Sequence, residues 1–258
     1  MKALKKKTAV PSLLLAVSVA VLAWLAPTWS GGQPGPLEKT YEAHGGLDRW
    51  SQQGQMSYRM IGFPLTPQVA KPSRSTVDLR TRRNRIESDG FTVGFDGQRA
   101  WSTPGPDAVG LPPRFFSLGS FYFHGMPFVF ADPGVILEDM GTATFEGKPY
   151  RHVQARFADG VGHSNEDDYN LFIDPKNGRL ALINHSVTEI GVDRVTWTFD
   201  EWQWANGLLV PARVTYYAGW NPEEPGDGAT YVVEDVAFDL NSPADEYYAP
   251  PADAVIAD

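Results

Sequence analysis

Histidine and carboxylate side chains gather densely once in this 258-residue chain, in the run Gly160-Val161-Gly162-His163-Ser164-Asn165-Glu166-Asp167-Asp168. Imidazole and carboxylate oxygens together suit a divalent cation, so His163, Glu166, Asp167 and Asp168 form a weak metal candidate. Their spacing matches no established loop, the EF-hand included, and a solvated hairpin in which Asp168 opens the next strand accounts for the same residues. His124, His152 and His185 fall in separate segments without a pairing signal and read as strand or loop histidines. His44 stands before Gly45-Gly46, where an imidazole caps the carbonyls of a helix end. No Gly-x-Ser-x-Gly elbow, His-Glu-x-x-His, phosphate loop or dinucleotide fingerprint occurs. Asn184-His185-Ser186 matches a glycosylation acceptor, which a bacterial-looking export signal makes incidental. No catalytic residue is assigned and no cofactor is expected; an enzyme would have to assemble carboxylates from distant strands.

A second concentration is apolar. Between Leu111 and Pro133, Phe115, Phe116, Phe121, Tyr122, Phe123, Phe128 and Phe130 crowd a window with almost no charge. Gly119, Gly125 and Pro127 cut it into pieces too short to span a bilayer, so it reads as short helices or loops laid over a sheet. Two roles compete: completing the core, or forming a movable apolar lid over a cavity.

The elements that position these residues are mostly strands. Pro36 and the spacing of Leu37, Tyr41, Leu47 and Trp50 predict a helix interrupted at Gly45-Gly46. Beyond Gly54 the period becomes two. Val77, Leu79 and Thr81 predict one strand face, as do Val153, Ala155 and Phe157, then Val195, Trp197 and Phe199. Val214, Tyr216 and Trp220 form another such set, and so do Val232, Val236, Phe238 and Leu240. Turns fall at Asp96-Gly97, Glu146-Gly147, Asp174-Pro175-Lys176-Asn177-Gly178 and Asn206-Gly207. The sum is an antiparallel sheet with one buried face, without internal repeats or a βαβ rhythm.

Composition bounds the rest. Cysteine is absent, which removes disulfides, thiolate metal sites, a thiol nucleophile and a cysteine-anchored lipoprotein. Lys2, Lys5, Lys6 and Lys7 precede an uncharged run from Thr8 to Trp29, the pattern of a secretory leader over 1–30. Cleavage after Ala23 or Ser30 and retention as an N-terminal anchor are both open readings, and each leaves the remainder outside the cytoplasm. A Gly/Pro linker follows over 31–36, and a single domain is expected over 37–258. Without those four lysines the 22 basic residues become 18 against 31 acidic ones, a net charge of −13. That argues against nucleic acid and against adhesion to anionic headgroups, so a lipid would be held by its tails.

The order of local motifs carries a resemblance. Tyr41-Glu42-Ala43-His44-Gly45-Gly46 with Trp50 comes first, then Phe95-Asp96-Gly97-Gln98-Arg99-Ala100-Trp101. Phe121-Tyr122-Phe123 with Met126-Pro127-Phe128, Gly147-Lys148-Pro149-Tyr150, Asp168–Asp174 and Gly207-Leu208-Leu209-Val210-Pro211 follow. From Leu37 to Pro251 this succession resembles an uncharacterised bacterial family of exported proteins related to the lipoprotein-sorting proteins LolA and LolB. The resemblance implies an α+β, mainly antiparallel β fold: a half-open LolA/LolB-like β-barrel wrapped around short helices, with an apolar cavity. In the sorting proteins that cavity holds acyl chains. This chain is longer, lacks the lipobox cysteine of LolB and shows no signature of a dedicated lipoprotein chaperone, so only the binding of something apolar is carried over.

The resulting expectation is a periplasmic carrier for a lipid or other hydrophobic ligand, tethered to the inner membrane if the leader stays, with an envelope protein as a further partner. Trp101, Phe115, Phe116, Phe121, Phe123, Met126, Phe128 and Trp197 are expected to line the cavity or its lid, plain core being their competing role. The alternatives are a structural or interaction module with a filled barrel, and a hydrolase or metal-dependent enzyme. The volume and lining of the barrel interior separate the three.

Overall fold

A computed structural model describes residues 35–159, 161 and 166–257. The leader reading and His163 therefore lie outside the described residues. The chain divides into Met1–Gln33 and a second unit, Pro34–Asp258, and the fold below is that of the second.

It begins with two one-and-a-half-turn helices, α1 (Glu38–Ala43) and α2 (Leu47–Gln52), broken at Gly45-Gly46 as the sequence predicts. Five strands follow: β1 (Gln55–Ile61), β2 (Ser73–Asp78), β3 (Asn84–Ser88), β4 (Phe91–Phe95) and β5 (Ala100–Thr103). Then come α3 (Pro106–Val109), α4 (Pro113–Gly125) and a 3₁₀ turn over Phe128–Ala131. The second strand series is β6 (Val135–Phe145), β7 (Lys148–Phe157), β8 (Tyr169–Ile173), β9 (Leu180–Val187), β10 (Val192–Ala205), β11 (Leu208–Ala218) and β12 (Ala229–Asp239). The chain ends with α5 (Asp245–Tyr248) and β13 (Val255–Ala257).

All thirteen strands form one antiparallel sheet in the order β13-β5-β4-β3-β2-β1-β12-β11-β10-β9-β8-β7-β6. Neighbours in space are neighbours in sequence except at β1–β12 and β13–β5. The sheet does not close, because β6 and β13 remain edges. One buried cluster nevertheless takes side chains from nearly all strands together with α1, α2 and α4, so one face of the sheet wraps around the helices. This is the mainly antiparallel, half-open architecture expected.

Local chemistry explains most turns. The Asp96 carboxylate accepts from the amides of Gln98 and Arg99, and Asp174 accepts from Lys176, closing two hairpins where the sequence predicts them. In three places the alternation misleads. The strand expected through Thr81 stops at Asp78, whose carboxylate accepts from the amides of Arg80 and Thr81 and bends the chain into β3. In β12, Tyr231 and Val233 face the core rather than Val232. A bulge at Asp235 (φ 52°) then inserts one residue and returns Val236 and Phe238 to that face. Trp220 lies beyond β11 and stacks on Phe145 and Phe172 at 5.7 and 5.3 Å, in a small cluster apart from the main core.

The aromatic segment forms one helix and one 3₁₀ turn rather than fragments. Pro113 occupies the first turn of α4, and the helix runs for 13 residues through Gly119. A glycine in a helix interior costs about 1 kcal/mol, against about 1.5–3 kcal/mol gained for each buried phenylalanine, so packing decides the outcome. Helix α4 ends at Gly125 because Met126 precedes Pro127 and adopts extended backbone (ψ 144°).

Candidate functional site

Helix α4 rests on the inner face of the sheet. His124 at its last turn is fully buried, with the Tyr231 hydroxyl of β12 3.2 Å from Nε2. The preceding residue, Phe123, packs on Trp197 of β10, ring centroids 4.2 Å apart. Between α4 and the strands lies an apolar cavity of about 70 Å³. Phe115, Phe116, Gly119, Ser120, Tyr122 and Phe123 line it from the helix. Phe63 and Leu65 line it from the loop after β1, and Phe157, Tyr169, His185, Val187, Ile190, Val192, Val195, Trp197 and Tyr216 from the second strand series. Phe115, Leu65 and Tyr122 are only half-buried and Ile190 is exposed, so the cavity has an apolar rim.

Of the eight residues singled out from sequence, Phe115, Phe116, Phe123 and Trp197 line this cavity. Phe121 turns to a neighbouring recess of about 210 Å³. Met126 and Phe128 are core: Phe128 stacks on Trp50 at 4.7 Å and on Tyr41 at 6.3 Å, anchoring α1 and α2. Trp101 requires a correction. It pairs with Gly94 across β4–β5 and lies on the outer face, where its indole N–H donates to the Tyr248 carbonyl at 2.9 Å. Alternation was ambiguous there because both faces of this part of the sheet are covered, one by α4 and the other by α5. Of the cavity residues not singled out, Phe63 sits beside turn residues, and Tyr169 and His185 alternate in short strands. Gly119 was read only as a helix breaker, yet a Cβ built on it meets nothing within 4 Å.

The titratable groups of His185 and Asp167 at the cavity wall are committed to the structure, whereas the buried Ser120 hydroxyl has no hydrogen-bond partner. His185 Nδ1 donates to the Ser186 carbonyl at 2.7 Å, and the Trp197 indole N–H donates to Nε2 at 3.1 Å. Burial holds the imidazole down at about 4 despite the nearby Asp167 charge, so it is neutral at pH 7 with both nitrogens occupied. Such a histidine neither accepts a proton from a substrate nor ligates a metal. The Asp167 carboxylate accepts from the Ser186 hydroxyl and the Thr188 amide, both at 2.9 Å.

Of the weak metal candidates His163 lies outside the described residues, and Asp167 and Asp168 each have partners of their own. Asp168 pairs with Arg194 at 2.8 Å and accepts from Gln154 at 3.1 Å. No group of three or more metal-ligating side chains occurs among the described residues. His152 Nε2 is bonded to the Asn170 side-chain oxygen Oδ1 at 2.8 Å. His44 does more than cap a helix: Nδ1 donates to the Leu209 carbonyl at 3.1 Å and Nε2 accepts from the Leu180 amide at 3.2 Å. It thereby ties α1 to β9 and β11, and burial depresses its pKa to about 4.

Residues 114–197, from the start of α4 into β10, match the model of a family of unknown function, DUF6503. That span holds most of the cavity wall. The chain is also similar to solved structures. A LolA superfamily protein from Nitrosomonas europaea shares 12% identity over 83% of this chain and 95% of its own, with a TM-score of 0.48. A DUF1329 family protein from Desulfovibrio piger shares 10% over 83% and 97%, also at 0.48. A lipoprotein-sorting protein domain from Vibrio parahaemolyticus, described as putative in its name, shares 13% over 78% and 93%, at 0.42. No curated protein matches. No described helix is long and apolar enough to cross a membrane.

Proposed function

We propose that this protein is an exported, periplasmic binding protein that carries a hydrophobic molecule, a lipid among the candidates, between α4 and the sheet. The observation that supports this reading most is the cavity beside Gly119: apolar, rimmed by half-buried aromatic and aliphatic groups, and bounded on one side by α4. Ligand pockets usually measure about 300–1,000 Å³. At about 70 Å³ the cavity admits only part of a ligand, so uptake requires α4 to lift and Phe115, Phe116 and Phe123 to exchange their contacts for the ligand. Affinity would come mainly from apolar area removed from water, about 25 cal/mol per Å².

The same small volume favours a second reading, an interaction module whose filled interior serves only to hold the sheet. An enzymatic reading finds no support at this cavity, because the one histidine at its wall has no free nitrogen.

Native mass spectrometry of protein purified from its own host, followed by solvent extraction, tests the proposal. The carrier reading expects a hydrophobic species of defined mass in the extract. A bare protein that also fails to take up N-phenyl-1-naphthylamine would leave the interaction module standing.

A further inference from the structure

The recess beside the apolar cavity is built differently. Its volume is about 210 Å³ and its wall includes Arg82, Asn84, Arg114, Phe121, Tyr122 and Asp132. Two guanidinium groups face one carboxylate there. Arg82 is ion-paired with Asp132 and packed over the Phe121 ring, 5.2 Å from its centroid. Arg114 lies over the Phe95 ring at 5.4 Å, and none of the ion pairs among the described residues includes it. A surplus cation in a chain with 31 acidic residues is a local exception to its overall charge.

One further observation bears on this recess. Asn84 is 1% exposed and its Nδ2 donates to the Arg82 carbonyl, while its Oδ1 is buried with no hydrogen-bond partner. A buried acceptor left unsatisfied is unfavourable unless something else completes it. Arg82 reaches the recess from the turn between β2 and β3, where its left-handed backbone (φ 63°) lets its amide donate to the Asp78 carbonyl at 2.9 Å.

Tyr122 borders both the apolar cavity and this recess, so the two differ in chemistry across the width of a single side chain. Building on the carrier reading above, we infer that the recess between Arg82 and Arg114 takes the oxyanion head of a single-chain amphiphile whose alkyl tail lies in the cavity beneath α4. Arg114 supplies the unneutralised charge, Arg82 a second set of N–H donors, and Asn84 Oδ1 accepts from a proton left on the head or from its hydration water. Carboxylate and phosphate monoester heads share this chemistry. The net charge still opposes docking on an anionic membrane, so recognition falls on one extracted molecule rather than on a bilayer surface.

The test is equilibrium titration of the full chain with dodecanoate, dodecyl phosphate and 1-dodecanol, each below its aggregation limit and followed by displacement of N-phenyl-1-naphthylamine. One or both anions are expected to bind roughly tenfold or more tightly than dodecanol, the scale of a charge-assisted hydrogen bond. R114Q removes that preference while leaving dodecanol binding unchanged, and R114K retains most of it. The anion that keeps the preference identifies the head. Equal binding of all three ligands overturns the head subsite and leaves the carrier reading intact. Binding of none overturns both. Displacement of either anion by micromolar inorganic phosphate would make the recess a free-anion site and also overturn the proposal.

Discussion

Trp101 and Trp197 are the two largest fully buried side chains of the described protein, and each has its indole N–H bonded, to the Tyr248 carbonyl and to His185 Nε2 respectively. By burial and hydrogen bonding they are equivalent, yet they stand on opposite faces of one sheet. Trp101 is sealed. Gly94 beneath it has no room for a Cβ, which would sit 2.5 Å from the indole, and Arg85 covers the ring at 5.6 Å. Around it, Arg83 joins Asp78 to Asp245 and packs on Tyr248, fastening α5 and the chain end to β3. Trp197 packs among Phe63, Phe123, Tyr216 and Tyr231 and also borders the cavity beside Gly119. The comparison teaches that burial of a large aromatic marks core, whereas function is written in the unfilled volume and in a glycine with free space over it.

Acid should break the comparison most sharply. His44, His124 and His185 all lie on the inner side, are buried and neutral, and have pKa values lowered by desolvation to about 4, 3 and 4. The unfolded chain binds their protons near pH 6.5 and the folded one does not. Stability therefore falls as pH drops below 6.5 and keeps falling until the folded values are reached. At pH 5 each site forfeits about 2 kcal/mol, or about 6 kcal/mol together, a large share of the 5–15 kcal/mol typical of a domain. Chemical denaturation between pH 7.5 and 5 measures this, and a constant midpoint contradicts it. On the Trp101 side burial raises the Asp78 carboxyl, but Arg83, the Thr81 amide, Ser242 and the Arg80 amide outweigh it and hold the pKa at about 2. Its contribution of about 2 kcal/mol is full above pH 4 and lost only as pH falls toward 2. Hydrogen exchange at pH 5 should accordingly show α4 and β9 opening before β3 and β4.

Truncation sharpens the comparison next. W101A and W197A should each cost about 3–5 kcal/mol in denaturant titration. Only W197A should also change the affinity for N-phenyl-1-naphthylamine among the molecules that remain folded. Equal loss of binding in both would mean that the two faces are not distinct. At a smaller scale, G94A forces Trp101 aside and should cost about 1–3 kcal/mol. G119A meets nothing and should raise stability by up to about 1 kcal/mol through helix propensity. A destabilised G119A would show that the space over Gly119 closes in solution.

Much of this was legible in the sequence, for identifiable reasons. Asp96 and Asp174 closed hairpins through bonds to their own neighbours, so local sequence sufficed. The break at Gly45-Gly46 and the antiparallel alternation of β7 and β10 were equally local. The bulge at Asp235 was not, because it depends on how β12 pairs with β1 across more than 170 positions. The face of Trp101 was hidden by α5, a short helix far along the chain. Gly119 looked like an interruption because propensity was visible and the packing that overrides it was not. Four of the cavity residues were found through aromatic crowding in α4 or alternation in β10. The Arg82–Arg114 recess gave no signal, since its charges come together only when β3 meets α4.

The central claim is that the space under α4 receives a hydrophobic molecule, and G119L tests it most directly. A Cβ at Gly119 would meet nothing within 4 Å and Gly119 lines the cavity, so leucine there is expected to occupy the cavity while the fold is retained. Titration of wild type and G119L with N-phenyl-1-naphthylamine should give saturable binding to the first and at least a tenfold weaker affinity for the second, with unfolding midpoints preserved. Equal affinity in the two proteins would place any ligand elsewhere and contradict the account.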